Sequence, residues 1–334
     1  MFEIADRLLA ALDAGRRLAV ATAVSIEGSA PRTVGTSMAW DGQAVIGSIA
    51  GGCVEGAVVE ASDLVLADGQ PRTVEYGVSD ETALSVGLTC GGQLRIHIRL
   101  ADSSIAEALR AHRGIASLVD GPAGFEHRIA AELAARPASG LGTIDCDGEL
   151  LEVFYEIPLD PPKMIIFGAM EFSAALSDAA RMLGYRVTIC DPRSLFATPE
   201  RFPDAEVVVA WPTDWLSTQT VDERTVICVL SHDARFDAEL IAQALATPAQ
   251  YVGAMGSRRT HDRRVASLRE RGVDERSIML LHSPIGLDLG ASTVEETAIS
   301  ILAEVIASRT RSSAASLARL EGDIHRPVLF GPVG

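Results

Sequence analysis

Positive charge is scarce in this 334-residue chain: 29 lysines and arginines stand against 45 aspartates and glutamates, for a formal net charge of −16. Nucleic acid and anionic membrane surfaces both demand clustered positive charge, so the balance disfavours them as general partners. Aromatic residues make up only 5% of the chain, which leaves little for a base-stacking platform. The start, Met1-Phe-Glu-Ile-Ala-Asp6, lacks the basic and apolar regions of a signal peptide. No uncharged apolar run reaches the roughly 18 residues that a membrane helix needs. Cysteines number five, an odd count, and none sit in a CxxC pair. Free thiols in a reducing cytoplasm are the expectation. HExxH, EF-hand and GxSxG patterns are absent as well.

What remains is ordinary globular composition, 48% hydrophobic and 22% charged, with length for two domains. Pro158, Pro161 and Pro162 interrupt every regular pattern and mark a linker. They divide an N-terminal α+β domain, 1–157, from a Rossmann-like C-terminal domain, 158–310, with a tail, 311–334, left unplaced. In the first domain Ile4, Leu8, Leu9 and Leu12 form one helical face, and Leu18 to Val24 reads as a strand. Asp41-Gly42 and Asp147-Gly148 are hairpin turns. Leu94 to Leu100 alternates apolar and basic residues, as a half-exposed strand does.

The second domain opens on Lys163-Met-Ile-Ile-Phe-Gly168, a short buried-strand pattern that stops at a glycine and precedes a helical pattern from Ser173 to Leu183. Strand, glycine turn and helix begin a doubly wound nucleotide-binding fold. Further strands are expected at Arg186 to Cys190, Glu206 to Ala210, Thr225 to Leu230, Tyr251 to Met255 and Ile278 to His282, with helices between several of them. That alternation predicts a parallel sheet with right-handed crossovers. Thr293-Val-Glu-Glu296 has the form of a capping box.

Three places invite chemistry. The dinucleotide fingerprint needs a second glycine for close approach of the pyrophosphate. Gly168 supplies the turn and Asp191 the ribose-binding acid, yet Met170 and Ser173 replace the second and third glycines. Gly253-Ala-Met-Gly256-Ser257-Arg258-Arg259-Thr260 offers glycines, a helix start and two arginines. It suits a phosphate, or else a helix start whose arginines pair with surplus carboxylates. Cys53 and Cys90 are each flanked by paired glycines, among them Gly51, Gly52 and Gly91. A thiolate at a helix start is stabilised by exposed amides and ligates soft metals or carries sulfur, whereas most free cysteines are small buried hydrophobes. Cys146, Cys190 and Cys228 lie in apolar runs and read as the latter. Ser231-His-Asp233 is no triad, because adjacent residues cannot line up on one site. His232 and His282 stand at strand ends.

Taken together, several stretches resemble the XdhC/CoxI family, the accessory factors of xanthine dehydrogenase and carbon monoxide dehydrogenase. In the N-terminal half these are Gly28-Ser-Ala-Pro-Arg-Thr-Val-Gly35, Ile49-Ala-Gly-Gly-Cys-Val-Glu55 and Gly87-Leu-Thr-Cys-Gly-Gly92. In the C-terminal half they are Asp191-Pro-Arg193, Arg201-Phe-Pro-Asp-Ala205, Tyr251-Val-Gly-Ala-Met-Gly-Ser-Arg-Arg-Thr260 and Ser283-Pro-Ile-Gly-Leu-Asp-Leu-Gly290. The resemblance implies a cofactor-binding chaperone rather than a turnover enzyme. Such proteins bind the molybdenum cofactor, molybdopterin, protect it and help load its sulfurated form into a molybdenum hydroxylase. By the same resemblance Cys53 and Cys90 become the thiolate or molybdenum contacts, and Arg32 the partner of the pterin's phosphate. One departure stands out: members commonly read Gly-Ala-Gly-His where this chain has Gly168-Ala169-Met170-Glu171. A carboxylate there opposes an anionic ligand.

The alternatives are an NAD(P)-dependent oxidoreductase, with Asp191 on the ribose and His232 or His282 moving protons, and a scaffold that docks a hydroxylase or a cysteine desulfurase. A homodimer is expected if one side of the N-terminal sheet is uncovered.

Overall fold

The computed structural model describes residues 1–28, 32–77 and 93–321. Two compact units divide them, Met1–Leu159 and Asp160–Glu321.

The first unit is built on a five-stranded antiparallel sheet ordered β3-β2-β1-β5-β4. Its strands are β1 Ala19–Glu27, β2 Ser37–Trp40, β3 Val45–Gly47, β4 Arg72–Tyr76 and β5 Gln93–Leu100. The centre of β1 is buried on both faces, which is why it reads as a run of alanine and valine rather than an alternation. Leu18 and Val20 pack against the helices Ala5–Asp13 and Ser103–Arg110. Ala19, Ala21 and Ala23 pack on the other side against the helix Glu55–Asp68. Both faces of this sheet are therefore covered within the chain, which removes the uncovered face on which the homodimer expectation rested.

Strand β5 also departs from the half-exposed reading. Leu94, Ile96 and Ile98 are buried on one side. On the other, Arg95 meets Glu152 at 2.6 Å and Arg99 donates to the Ala116 carbonyl. His97, buried between those arginines, has its pKa lowered to about 4, chiefly by burial. The partners of Arg95 and Arg99 come from a second, three-stranded sheet ordered β6-β8-β7, with β6 Ile115–Asp120, β7 Gly140–Cys146 and β8 Glu149–Glu156. Asp147 and Gly148 link β7 to β8, both at positive φ (59° and 92°) as a two-residue hairpin of that kind requires.

The second unit is an all-parallel six-stranded sheet ordered β11-β10-β9-β12-β13-β14. The strands are β9 Lys163–Phe167, β10 Arg186–Cys190, β11 Glu206–Val208, β12 Val226–Val229, β13 Tyr251–Ala254 and β14 Leu281–His282. Alternation along β9 divides the core in two. Met164 and Ile166 face the helices Glu171–Met182 and Val294–Thr310, while Ile165 and Phe167 face Asp237–Leu245 and Arg258–Glu270. The capping box at Thr293 and Glu296 is formed in full. The expected sixth strand, Ile278 to His282, shrinks to Leu281–His282. Asp274 accepts the Ser277 amide at 3.0 Å and turns Glu275–Met279 into a short helix instead.

The strand order reverses between β9 and β12. In open α/β sheets ligands sit outside the carboxyl ends of the strands at such a point. Here that place is bordered by the turns after β9, β10 and β12.

Candidate functional site

The loop that carries Cys53 is organised by a carboxylate at its centre. Glu55, the first residue of the helix Glu55–Asp68, folds its side chain back into the preceding loop. Its Oε1 accepts the Ser48 hydroxyl at 2.7 Å and the amides of Ile49 and Ala50 at 3.2 and 3.0 Å. Its Oε2 accepts the amides of Gly52 and Val54 at 2.8 and 3.2 Å. Burial alone would raise this carboxyl, but the Ala50 amide, the Ser48 hydroxyl and the other loop amides outweigh it and hold the pKa at about 2.

The amides expected to favour a Cys53 thiolate are thus largely taken, since those on either side of Cys53 donate to Glu55. The loop is held by its own acid and presents the thiol. Cys53 is half-buried, whereas Cys146, Cys190 and Cys228 are buried. Burial pushes the Cys190 thiol up to about 12 and that of Cys228 also upward. Among the described cysteines, Cys53 is the one a reagent or ligand reaches. Gly51 and Gly52 beside it lie at φ +79° and +114°, and a Cβ built on either meets nothing within 4 Å. The backbone there is open to close approach.

Arg32 joins this neighbourhood. Its guanidinium pairs with Glu3 at 3.2 Å and reaches the Ser48 carbonyl at 3.5 Å, so it stands at the first residue of the Cys53 loop. Cys90 and Gly91 lie outside the described residues.

The turn after β9 is closed in a similar way. Gly168 adopts φ +110°, and a Cβ on it would lie 2.9 Å from the Ser231 amide nitrogen. The glycine is required by the end of β12, before any ligand is considered. The next amide, that of Ala169, donates to Asp191 at 2.8 Å. Asp191 is only 2% exposed. It accepts the Arg193 amide at 2.9 Å and both Nε and Nη2 of its guanidinium, at 2.9 and 2.7 Å. Burial tends to raise the carboxyl, but Arg193 and the two amides win and hold it below its ordinary value. The acid expected to grip a ribose is engaged by this chain's own arginine. Met170 lies above, its sulfur 4.0 Å from Arg193 Nη2. Glu171 is paired with Arg201 at 2.6 Å.

Gly256 to Arg259 begin the helix Arg258–Glu270. Ser257 caps it by accepting the Thr260 amide at 3.2 Å, and Ser257, Arg258 and Arg259 are exposed. Behind them Arg264 is 6% exposed, bonded to the Ser283 hydroxyl at 2.9 Å and the Met255 carbonyl at 3.0 Å. His282 stacks on Tyr251 and faces Glu304, which also accepts the Tyr251 hydroxyl and the Gly286 amide. That network fastens the Ser283 to Gly290 loop to the last helix, and His232 is exposed beside Asp233.

Arg32, Gly51, Gly52 and Cys53 thus come together in the first unit, and Gly168 and Asp191 in the second. Sequence reasoning missed Glu55, whose position at a helix start directly after a glycine-rich loop was the signal. It also missed the arginines on the second unit's acids. Among the described residues no group of three or more His, Cys, Asp or Glu is placed to hold a metal, and no helix is long and apolar enough to cross a membrane.

Comparison with known proteins places both loops in a family. The model of the XdhC and CoxI family matches residues 11–77, which contain the Cys53 loop, and that of the XdhC Rossmann domain matches residues 164–305. The chain is 25% identical over 288 residues to the uncharacterised protein YqeB of Escherichia coli, covering 86% of this chain and 43% of that protein's length. A protein of Bacillus subtilis described as a probable subunit of xanthine dehydrogenase is 25% identical over 87% of this chain and 93% of its own. The molybdenum cofactor insertion chaperone PaoD of Escherichia coli is 26% identical over 90% and 86% respectively. The crystal structure of a xanthine dehydrogenase from Bacillus halodurans shares the fold, with TM-score 0.69 and 24% identity over 95% of this chain and 98% of that one. With the two halves matched in order by models of one family, and relatives aligned across both, the chain belongs to the XdhC/CoxI family.

Proposed function

We propose that this chain is a maturation factor for a molybdenum hydroxylase of the xanthine dehydrogenase or carbon monoxide dehydrogenase type, binding molybdopterin in its N-terminal unit. Family membership and the names of PaoD and the Bacillus subtilis relative support the class of function. The observation that carries the site is the Cys53 loop: a half-exposed thiol on a glycine backbone open to approach, held in shape by Glu55. A thiolate is a soft donor suited to molybdenum or to sulfur transfer. The residues present fit that group: Cys53 as the soft contact, Gly51 and Gly52 as clearance, and Arg32 as the nearby cation. When bound, the cofactor supplies the redox metal centre for the recipient enzyme, while this chain's residues hold and shield it. By the family resemblance Cys90 and Gly91 are further candidates for cofactor contact, and sulfuration of the cofactor before transfer, with a cysteine desulfurase as sulfur source, is part of the proposal. In the second unit Gly256 to Arg259 offer a further anion contact.

The oxidoreductase reading is weaker. Asp191 is bonded to Arg193 and Ala169 in place of a ribose, and Met170 stands where the pyrophosphate needs a glycine.

The test is anaerobic purification followed by pterin fluorescence and molybdenum analysis. Stoichiometric molybdopterin on the unmodified protein and its loss from Cys53→Ala or Cys90→Ala are the expected results. Full retention by both variants overturns the thiolate contact, and failure of the unmodified protein to bind overturns the function.

A further inference from the structure

The two loops that flank β9 at the reversal of strand order are built alike. After β10 the chain reads Asp191-Pro192-Arg193, and after β12 it reads Asp233-Ala234-Arg235. In each, the aspartate accepts the amide of the arginine two residues on, at 2.9 Å and 3.0 Å. Each aspartate also takes Nε and Nη2 of that arginine, at 2.9 and 2.7 Å in the first loop. In the second, Nε lies 2.9 and 3.1 Å from the two carboxylate oxygens and Nη2 binds one of them. Each guanidinium then lies over an aromatic ring, Arg193 over Phe196 at 4.6 Å and Arg235 over Trp211 at 5.4 Å.

A guanidinium has five N–H donors in a fixed fork, and each of these two turns its Nε–Nη2 edge to its aspartate. Nη1 of both arginines has no hydrogen-bond partner among the described residues. The acids lie beneath and the cations above: Asp191 is 2% exposed under Arg193 at 46%, and Asp233 28% under Arg235 at 67%. Although the charges cancel in number, the positive ends face outward. The two loops end strands β10 and β12, which pair with β9 on either side, and Arg193 adds to Arg235 in lowering the Asp233 carboxyl. Glu171, an exposed acid that opens the helix after the intervening turn, is tied to Arg201.

We propose that Arg193 and Arg235 form a paired guanidinium clamp for the phosphate groups of a small phosphorylated ligand, at the switch point of the C-terminal sheet. Two cations whose Nη1 donors have no partner among the described residues match a group carrying several oxygens and more than one negative charge. The clamp takes over the part that the glycine turn plays in ordinary dinucleotide folds, where Met170 and the engaged Ala169 amide now stand. It is independent of the Cys53 site and stands or falls without it.

Calorimetric titration of the full chain with inorganic pyrophosphate at low ionic strength is the test. Saturable binding that weakens as salt is raised is expected. Arg235→Gln is expected to weaken it about tenfold or more, the scale of one lost charge-assisted bond. Arg235→Lys should lose nearly as much, because an ammonium cannot keep Asp233 and offer a second edge at once. Arg193→Gln should act likewise, but it strips buried Asp191 of its partner and lowers stability, so the Arg235 variants carry the decision. A double Arg186→Gln, Arg276→Gln variant, which removes two exposed arginines at the start of β10 and ahead of β14, should bind as the unmodified protein does. Absence of saturable binding in the millimolar range, or loss in an Arg258→Gln, Arg259→Gln variant with none in Arg235→Gln, overturns the clamp.

Discussion

Replacing Glu55 by glutamine tests the claim that a buried-in carboxylate shapes the Cys53 loop. The carboxylate accepts from one hydroxyl and four amides through its two oxygens. An amide side chain keeps one accepting oxygen and turns an NH2 toward the remaining donors, so at least two bonds are lost and two donors are opposed. A carboxyl held at about 2 rather than 4.5 sets the upper bound. That difference is worth roughly 3 kcal/mol, which partial exposure screens to about 2 kcal/mol. For a unit of this size the expected fall in Tm is about 4–8 °C. The pH dependence has a definite sign. The folded pKa is depressed, so the contribution is present above pH 4.5 and fades as pH drops towards 2. Hydrogen exchange reads the loop directly. Amides of Ile49, Ala50, Gly52 and Val54 should lose protection in Glu55→Gln, and Cys53 should alkylate faster with iodoacetamide. Unchanged protection together with a stability change under about 0.5 kcal/mol refutes the reasoning.

Two further substitutions separate close packing from surface pairing in the second unit. Gly168→Ala places a Cβ 2.9 Å from the Ser231 amide nitrogen at φ +110°, and denaturant unfolding should show a loss of about 3 kcal/mol. Glu171→Gln removes an exposed ion pair with Arg201, which keeps its bonds to the Ala169 and Phe196 carbonyls, so the same measurement should change by less than about 1 kcal/mol.

The parallel sheet was legible because its strands, buried on both faces, read as short unbroken apolar runs between helical periods. Met164 to Phe167 is the clearest case. Both Asp-Gly hairpins were legible because the demand for turn residues is local. Strand β5 was misjudged because alternation of apolar and basic residues describes a face that carries arginines, and cannot say whether another sheet's acids cover it; Glu152 is distant in sequence and close in space. The short helix Glu275–Met279 was missed because the four-residue apolar run Ile278 to Leu281 fits strand and helix equally until the capping aspartate is weighed. The candidate residues were located in sequence, while their partners were not. Asp191 looked free for a ribose because nothing in the sequence marked Arg193, two residues on, as folding back over it.

A single device explains both why the glycine loops of this chain read like anion cradles and why they are poor ones. A loop of converging amides binds an oxyanion, and here the oxyanion is already covalently attached. Glu55 fills the cradle of Ser48 to Val54, and Asp191 takes the Ala169 amide that would otherwise open the turn after β9. In the first loop this leaves the thiol of Cys53, rather than the backbone, as the group offered to a ligand, which suits a soft metal centre better than a phosphate. In the second unit the replacement of glycine by Met170 becomes tolerable, because the backbone there no longer has a phosphate to approach. Anion binding then has to come from side chains that the acids orient without burying. Arg193 and Arg235 meet that requirement, since Asp191 and Asp233 each hold a guanidinium by its Nε–Nη2 edge and leave Nη1 with no partner among the described residues.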